Sequence, residues 1–408
     1  MITSLPILFG EHIEISSTLF ETLKKIVERI FTVTQSAPYK TALDELYFGG
    51  ESPFPKEQQK IFREFLDNQK KEDGDSVPKF ASFDFHIGGE DDLPKLIEFS
   101  YFPAGLHFWA GNILEESQKS HYEAELLKTC AGYSRIGITD EHLSEQIFLE
   151  EFLWFRDFLE KNGKTVFLAE AETVCMEDGE ISLIPWKGIT PLPPLQGGLT
   201  EQERKRETVD FLFNRFPFSD FLKIPERFAE IGEVEKQAPQ QISTTVREWL
   251  YSEKLSLLLL QKDSELADYI PQTLPSWESV YSTEVKQKMS GKIVAKPVFS
   301  YGGKGVFLRP SHPILQKILD EKTPYLFQEF CAPPTLSDGR KYDIRLLAIN
   351  GNISAVIARV YSGAITNFKN EGSGICGVGV VNSSCVKPPY PDTLCVHSSI
   401  LSRISEHC

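Results

Sequence analysis

A lysine in the middle of an apolar run, Lys296, precedes a glycine-rich loop whose composition suits a bound phosphate. An amine is costly to bury unless an anion meets it, and glycines let backbone N–H groups approach an anion closely. The loop lacks the spacing of a Walker A motif, and a glycine-rich hairpin turn without a ligand is the alternative. The loop residues that we expect to contact a phosphate-bearing ligand are Tyr301, Gly302, Gly303, Lys304 and Gly305.

Three further residues could complete a nucleotide site around this loop. Lys254 begins another apolar run, where it either meets the same anion or is a solvated residue in the first turn of a helix. Gln328 and Glu329 end a predicted buried strand just before a proline-rich turn. A hinge of this kind can offer backbone groups to the edge of an adenine and a carboxylate to a ribose.

Two arginines, Arg345 and Arg359, lie on the arms of a predicted hairpin with an Asn-Gly turn at 350–351. Arginines in apolar strands usually meet an anion, which could be a ligand or an ordinary salt-bridge partner. A two-residue turn would pair Arg345 with Val356 and Arg359 with Tyr342, on different faces, whereas a three-residue loop would place both arginines on one face. Arg359 is therefore the preferred candidate.

Acidic residues that could bind a divalent cation occur in the first hundred residues. Asp84 lies in the predicted strand 80–87, and Glu98 and Ser100 lie in the predicted strand 95–100. Glu98 and Ser100 share a face because they are two positions apart on a strand. Carboxylates with phosphate oxygens suit Mg²⁺, whereas a hydroxyl is a weaker ligand. The alternative is a pair of edge-strand carboxylates in an acidic protein.

The elements that must position these residues alternate between helix and strand. A helix is predicted at about 17–33, with Thr18 and Glu21 as a capping box. Alternating strands and helices from about 113 predict an open parallel sheet, and a helix near 246–262 precedes a β-rich part. The predicted α/β and α+β chain has four parts: an N-terminal segment with the metal-site strands at 1–112, an α/β substrate-side domain at 113–245, an ATP-binding part at 246–382 and a tail at 383–408.

Composition limits the classes of partner. The chain has 408 residues and a formal net charge of −15, which disfavours nucleic acid and anionic membranes as partners. The N-terminal stretch lacks the features of a signal peptide, and no apolar run is long enough to span a bilayer. Seven cysteines without C-x-x-C spacing argue against a disulfide framework or a zinc site. We therefore expect a cytoplasmic protein.

Residues 252–379 resemble the ATP-grasp superfamily, which includes D-alanine–D-alanine ligase, glutathione synthetase and the ribosomal-protein glutamate ligase. The resemblance implies that Lys254 and Lys296 bind the phosphates of ATP, and that Asn367, in the loop 366–374, lies near the reacting centre. Those families usually continue with an aspartate and then Glu-x-Asn, which are absent after residue 380. Asp84 and Glu98 match this missing part at the opposite end of the chain.

The sequence therefore resembles an ATP-grasp protein with permuted segment order, preceded by the kind of open parallel α/β domain that these enzymes carry. Ser100 replaces the usual asparagine, which leaves a second metal position open. The chain also resembles a little-described bacterial family of permuted ATP-grasp proteins with a strand that ends in Asn-Arg, here Asn214-Arg215.

This resemblance implies an ATP- and Mg²⁺-dependent ligase that joins a small-molecule carboxylate to an amine or thiol. In that activity Arg359, with Arg345 and Asn367, would stabilise the transferred group. A phosphotransferase and a nucleotide-binding protein without turnover are the alternatives, and the sequence does not fix the oligomeric state.

Overall fold

The computed structural model describes residues 7–50, 52, 54–67, 77–88, 93–102, 111–146, 149–187, 205–216, 229–276, 293–300, 302–320, 324–366 and 371–382. Strands within these ranges form four sheets in a mixed α/β arrangement. The predicted tail at 383–408 lies outside the described residues.

A six-stranded sheet, called the central sheet below, joins early and late parts of the chain. Its strands, in spatial order, are β1 (Ile7–Ser16), β16 (Gly374–Val381), β15 (Asn352–Tyr361), β14 (Lys341–Ile349), β2 (Phe80–His86) and β3 (Lys95–Ser100). β14 and β15 form the predicted Asn-Gly hairpin, and β2 pairs antiparallel with β14. Strands from the first hundred residues therefore extend the sheet that the late hairpin begins.

Three smaller sheets complete the architecture. The sheet that carries Lys296, called the lysine sheet, has the order β10 (Thr273–Leu274), β13 (Tyr325–Glu329), β11 (Ile293–Pro297) and β12 (Phe307–Leu308). The predicted parallel sheet is present as β5 (Thr165–Glu170), β4 (Arg135–Asp140) and β9 (Phe211–Asn214). The last sheet contains β6 (Cys175–Glu177), β7 (Glu180–Leu183) and β8 (Glu207–Val209).

The α-helices, with short 3₁₀ turns between some of them, cover these sheets. They are α1 (Ser17–Gln35), α2 (Ala37–Phe48), α3 (Lys56–Asp67), α4 (Glu116–Thr129), α5 (Leu149–Lys161), α6 (Ala229–Gln237), α7 (Val246–Ser252), α8 (Leu257–Leu260) and α9 (His312–Asp320). In the part of the chain that the structure describes, none of them is long and apolar enough to cross a membrane.

Two predicted helices differ from the observed ones in detail. The cap of α1 is Ser16, whose side chain accepts the N–H of Leu19 at 3.1 Å, and not the predicted box at Thr18. The single helix predicted near 246–262 is divided into α7, a 3₁₀ turn at Lys254–Ser256, and α8. The division follows from Glu253, whose extended backbone (φ −71°, ψ 162°) ends α7.

The two faces of the central sheet have different roles. One face packs on α1, where Phe31 lies edge-on against Phe83 with ring centroids 5.3 Å apart. The other face is apolar over part of its area, where Leu347 and Ile357 pack into the core shared with the parallel sheet and α4. Burial of each such side chain contributes about 1.5–3 kcal/mol. The rest of that face is charged, and it holds the predicted site residues.

The hairpin register decides which residues share this charged face. Asn350 and Gly351 have φ values of 49° and 77°, so the loop is the two-residue turn that the dipeptide predicts. However, a bulge between Leu347 and Ala348 shifts the pairing by one residue. Arg359 consequently lies opposite Asp343, and both arginines lie on one face. The prediction that a two-residue turn separates them was wrong, because a bulge has the same effect on register as a longer loop.

Candidate functional site

Two guanidinium groups and a carboxylate from opposite ends of the chain meet on the charged face of the central sheet. Asp84 lies directly opposite Arg345 in the β2–β14 pair. Arg345 donates to Asp84 through Nε at 2.7 Å and through Nη2 at 2.9 Å. Arg359 Nη2 lies 2.8 Å from the second oxygen of the same carboxylate. A side chain predicted as a metal ligand is therefore held by both arginines predicted to contact substrate.

A second carboxylate, Asp343, completes this arrangement and was missed in the sequence. Arg359 donates to Asp343 through Nε at 2.6 Å and Nη2 at 3.0 Å, and the Thr366 hydroxyl lies 3.0 Å from Asp343 Oδ2. Alternation along β14 could have revealed it, since Asp343 lies two residues before Arg345 and so shares its face. The four side chains, Asp84, Asp343, Arg345 and Arg359, are called the arginine–aspartate cluster below.

Burial and charge affect the two aspartates differently. Burial alone would raise the pKa of Asp84, but the positive charges of Arg345 and Arg359 outweigh it and lower that pKa below its usual value. Burial raises the pKa of Asp343, with Arg359 opposing this effect and Asp84 reinforcing it. The cluster therefore pairs two guanidinium groups with two carboxyl groups. An anion or a cation bound beside it would compete for these ion pairs.

Replacing Asp343 by alanine is expected to lower the free energy of unfolding by about 3–5 kcal/mol, the usual effect of removing one partner from a buried ion pair. The side chain of Asp343 is 1% exposed. Among the described residues, its loss leaves Asp84, which also pairs with Arg345, as the carboxylate in contact with Arg359. Urea denaturation measures the change. Asp157→Ala is the control, because Asp157 is 65% exposed beside Arg156 and such a pair contributes about 0–1 kcal/mol. Equal effects of the two substitutions would contradict the account of the cluster.

Glu98 and Lys254 lie beside this cluster. Glu98 is directly opposite Asp84 in the β2–β3 pair, and its side chain is 46% exposed. Lys254 Nζ lies 3.4 Å from Glu98 Oε1 and donates to the carbonyl of Ser300 at 2.7 Å. With 7% of its surface exposed, Lys254 is not the solvated first-turn residue that was the alternative. It is buried because the 3₁₀ turn directs it towards the segment that follows β11.

Lys296 joins the lysine sheet to the central sheet. Its Nζ donates to Gln328 Oε1 at 2.6 Å and to the carbonyl of Ile97, in β3, at 3.2 Å. Burial, with Glu98 opposing it, lowers the pKa of Lys296 to about 8. The amine therefore lies between the two sheets, within one residue of Glu98 on β3.

Gln328 and Glu329 differ in whether their side chains are accessible to a ligand. Gln328 is buried, and its amide nitrogen donates to the Thr273 hydroxyl at 3.0 Å while its oxygen accepts from Lys296. Its side chain therefore positions the lysine. The backbone N–H of Glu329 donates to the carbonyl of Gln272 at 2.8 Å, so that group is already used within the protein. The Glu329 side chain is partly exposed at the strand end.

The glycine loop follows Val298 and Ser300, whose carbonyl groups accept hydrogen bonds from Lys254. Gly302, Gly303 and Gly305 have φ values of 63°, 72° and 72°, a conformation that favours glycine. A Cβ atom on Gly303 would lie 3.0 Å from Ile365 and 3.5 Å from the carbonyl of Thr366. The loop therefore lies against the segment whose Thr366 contacts the arginine–aspartate cluster. Lys304, between these glycines, is exposed. Tyr301 and Asn367, the remaining predicted residues of these two segments, lie outside the described residues.

Ser100 is the weakest of the predicted metal ligands. Its hydroxyl accepts the N–H of Phe102 at 3.0 Å, a local turn contact, and it lies opposite Ser82 rather than Asp84. Among the described residues no group of three or more His, Cys, Asp or Glu side chains is arranged to hold a metal ion. Any cation here would need ligands beyond the protein side chains that the structure describes.

The candidate site lies where Lys296 of the lysine sheet meets β3 of the central sheet, next to the charged face. Four cationic side chains, Lys254, Lys296, Arg345 and Arg359, converge there, together with three carboxylates, Asp84, Asp343 and Glu98. Such a set can bind a polyanion through its cations and a divalent cation through Glu98, the most exposed carboxylate of the three. These side chains from distant parts of the chain lie near one another, and their roles as ATP, metal and substrate ligands stay predictions.

No protein-family model matches the sequence, and neither does any curated protein. The fold is similar to the crystal structure of a proposed gamma-glutamylcysteine synthetase from Methylobacillus flagellatus KT, with a TM-score of 0.50 and 12% sequence identity. The similarity covers 88% of this chain and 92% of that one. At this level of identity the likeness concerns the fold, so the chain shares the overall mixed α/β architecture of that protein.

Proposed function

We propose that this protein is an ATP- and Mg²⁺-dependent ligase that joins a carboxylate to an amine or a thiol through an acyl phosphate. The observation that carries the proposal is the contact between cations of the later part of the chain and carboxylates of the early strands, Asp84 and Glu98. The proposed site is of the ATP-grasp type with permuted segment order. Residues 1–112 and 246–382 build its two sides, and residues 113–245 form the substrate-side domain. The fold likeness to a proposed synthetase supports the same class of reaction.

In this proposal the triphosphate of ATP lies under the glycine loop. Lys254 and Lys296 neutralise its charge, and the N–H groups of residues 302–305 add hydrogen bonds. Lys304 and, by the sequence prediction, Tyr301 would add contacts to the same phosphates, and Gln328 accepts a hydrogen bond from Lys296 that positions it. The Glu329 carboxylate, at the strand end, accepts from the ribose. The contacts of the two lysines support this assignment, because their present partners are backbone carbonyls, Gln328 and Glu98, and a phosphate would be a stronger partner.

The donor set fits a Mg²⁺ ion that arrives with the nucleotide. Mg²⁺ usually takes one or two carboxylates, phosphate oxygens and several waters, so a cage of protein ligands is not required. Glu98 is exposed enough to bind directly, and Asp84 would join when ATP phosphates draw the arginines away. Ser100 would contribute only through its hydroxyl. When bound, the ion neutralises charge that builds up on the transferred phosphoryl group.

The reaction follows from this arrangement of charges. An oxygen of the substrate carboxylate attacks the γ-phosphorus of ATP, the bond to the β-phosphate oxygen breaks, and ADP leaves with an acyl phosphate formed. The amine or thiol then attacks the carbonyl carbon, loses its proton, and phosphate leaves. Arg359, with Arg345, stabilises the negative charge of both steps, and such a donor typically contributes roughly 2.7–4 kcal/mol. The resemblance to ATP-grasp enzymes adds Asn367 to the residues that would contact the transferred group.

A coupled assay for ADP tests the proposal. The protein is incubated with Mg²⁺-ATP and a panel of small carboxylic acids, with and without amines or thiols. ADP release that requires a carboxylate and rises when an amine or thiol is added supports the ligase. A stable phosphorylated product would assign phosphotransfer instead, and tight ATP binding without ADP from any mixture would assign a binding protein.

The affinity for ATP is expected to fall as the pH rises through about 8, the pKa of Lys296. The lysine binds phosphate in its charged form, so above this pH the dissociation constant should rise by up to about tenfold per pH unit. Calorimetric titrations between about pH 7 and pH 9 measure this trend. Lys296→Arg should remove it, since a guanidinium stays protonated over that range. An affinity that is constant or rises with pH would contradict the assignment of Lys296.

A further inference from the structure

A histidine outside the arginine–aspartate cluster connects the central sheet to the chain that leaves the lysine sheet. His86 is the last residue of β2, two positions after Asp84. Its ring Nδ1 lies 2.8 Å from the carbonyl oxygen of Cys331. Cys331 belongs to the segment 330–340 that joins β13 of the lysine sheet to β14 of the central sheet, called the linker below. The contact therefore joins the end of an early strand to the start of the linker.

The partners of His86 identify the ring nitrogen that carries a hydrogen. A carbonyl oxygen can only accept, so Nδ1 carries the hydrogen and donates to Cys331. Nε2 lies 3.4 Å from the hydroxyl of Tyr361, a residue of β15 that is 2% exposed. In the neutral ring this nitrogen accepts and the hydroxyl donates. Contacts within the protein therefore orient the ring from two sides.

The carbonyl that accepts from His86 is close along the chain to the residue that positions Lys296. Gln328 precedes Cys331 by three residues, and its Oε1 accepts from Lys296 Nζ at 2.6 Å. The strand of Gln328, β13, pairs antiparallel with β11, the strand of Lys296. A displacement of Cys331 would therefore be transmitted to the amine through one pair of strands and one side-chain contact.

Lys296 itself makes a second contact between the two sheets, which ATP would replace. Its Nζ donates to the carbonyl of Ile97 at 3.2 Å. Ile97 is the extra residue of a bulge in β3, so it has no partner residue on β2. In the proposed function the amine meets the phosphates of ATP, which are stronger partners than a carbonyl. Lys296 can therefore exchange its partner, whereas the contacts of His86 are with the protein alone.

We infer that His86 is a positioning residue that holds the linker against the central sheet, and thereby keeps Lys296 beside Glu98 when the amine changes partners. The effect on ATP rests on the proposed function. The joint itself rests on the contacts of His86 with Cys331 and Tyr361. Because the Nδ1 donor carries this role, a side-chain amide in the same place should replace the imidazole.

Calorimetric titration of two His86 variants with Mg²⁺-ATP tests the inference. His86→Phe keeps a ring and removes both nitrogens, whereas His86→Asn places an amide nitrogen near the position of Nδ1. The dissociation constant for ATP should rise by about tenfold in His86→Phe, because a carbonyl loses its donor, and stay within about twofold of the wild-type value in His86→Asn. His121→Phe is the matched control, because His121 is exposed on α4.

The pattern across the two variants decides the outcome. Weaker binding in His86→Phe with nearly wild-type affinity in His86→Asn supports the inference. Unchanged affinity in folded His86→Phe would overturn it while the ATP site remains, and an equal loss in both variants would overturn the role of the Nδ1 donor. In steady-state ADP release the KM for ATP should rise with kcat nearly unchanged, whereas a loss of folded protein would lower kcat.

Two measurements without ATP separate failure of this inference from failure of the proposed function. The ¹⁵N NMR signals of the His86 ring in the wild-type protein, assigned by their absence from His86→Asn, should show a protonated Nδ1. The amides of Leu336 and Tyr342, which donate to the carbonyls of Arg340 and Pro334 at 2.7 and 3.1 Å, should exchange hydrogen faster in His86→Phe. If the protein binds no ATP, these two results still support the joint. An unprotonated Nδ1, or equal exchange in a folded variant, would overturn it.

Discussion

Glu98→Gln is expected to retain ATP binding and to lose Mg²⁺-dependent turnover by about 10²-fold or more. The glutamine keeps the shape of the side chain and removes the charge through which Glu98 would bind the ion. The side chain is 46% exposed, so the fold should be retained. Loss of its ion pair with Lys254 should leave ATP affinity equal or slightly higher, because that lysine then has no competing anion. Steady-state ADP release and calorimetric titration with ATP measure the two effects.

The Mg²⁺ dependence of the rate provides the sharper test of this variant. In Glu98→Gln the concentration of Mg²⁺ that gives half-maximal rate should rise, since one carboxylate ligand has been removed. Glu21→Gln is the matched control, because Glu21 is 57% exposed on α1 next to Lys24. If Glu98→Gln turns over ATP at the wild-type rate with the same Mg²⁺ dependence, the early strands do not supply the metal ligand.

Lys296→Met is expected to weaken ATP binding by about 2–5 kcal/mol, which is roughly 30-fold or more in the dissociation constant. The methionine keeps most of the aliphatic stem and removes the amine that would meet the phosphates. Because burial already lowers the pKa of this lysine to about 8, removing its charge should cost the unliganded fold little. Calorimetry measures the affinity, and thermal unfolding measures the stability.

Lys128→Met is the control for a general change in charge, since Lys128 is 70% exposed on α4. It should leave ATP affinity unchanged. Unchanged affinity in Lys296→Met, with a folded protein, would remove the lysine sheet from the proposed site. A large loss of stability in that variant would instead show that the contacts of Lys296 with Gln328 and Ile97 are mainly structural.

The sequence allowed the main strands of the site to be predicted because their patterns are local. Apolar runs with isolated charges marked β2, β3, β11 and the hairpin, and the Asn-Gly pair marked its turn. The match of the early carboxylates to the part missing after residue 380 then predicted which distant segments meet. The pairing of β2 with β14 agrees with that prediction.

The details that decide the chemistry could not be predicted in the same way. The sequence left open whether the two arginines share a face. A one-residue bulge in β15 places them on one face, and bulges leave little local signal. Asp343 was overlooked although it lies two residues before Arg345 and so shares its face of the strand. Its contact is with Arg359 on the neighbouring strand, which the sequence around Asp343 does not reveal. Lys254 was assigned to one continuous helix, whereas tertiary contacts with the carbonyl of Ser300 hold it in a 3₁₀ turn.

The arginine–aspartate cluster has a consequence for the order of events in the proposed reaction. Both arginines are held by Asp84 and Asp343 in the structure described, and a substrate anion must compete with those carboxylates. A cation bound at Asp84 would weaken its hold on Arg345 and Arg359. Mg²⁺-ATP would therefore both fill the site and release the arginines that act on the transferred group.

A crystal structure with Mg²⁺ and a non-hydrolysable ATP analogue tests most directly whether the two ends of the chain build one nucleotide site. Our account predicts the triphosphate between Lys254, Lys296 and residues 302–305, with the ion bound by Glu98. A nucleotide bound elsewhere, or with its phosphates far from both lysines and from Glu98, would contradict it.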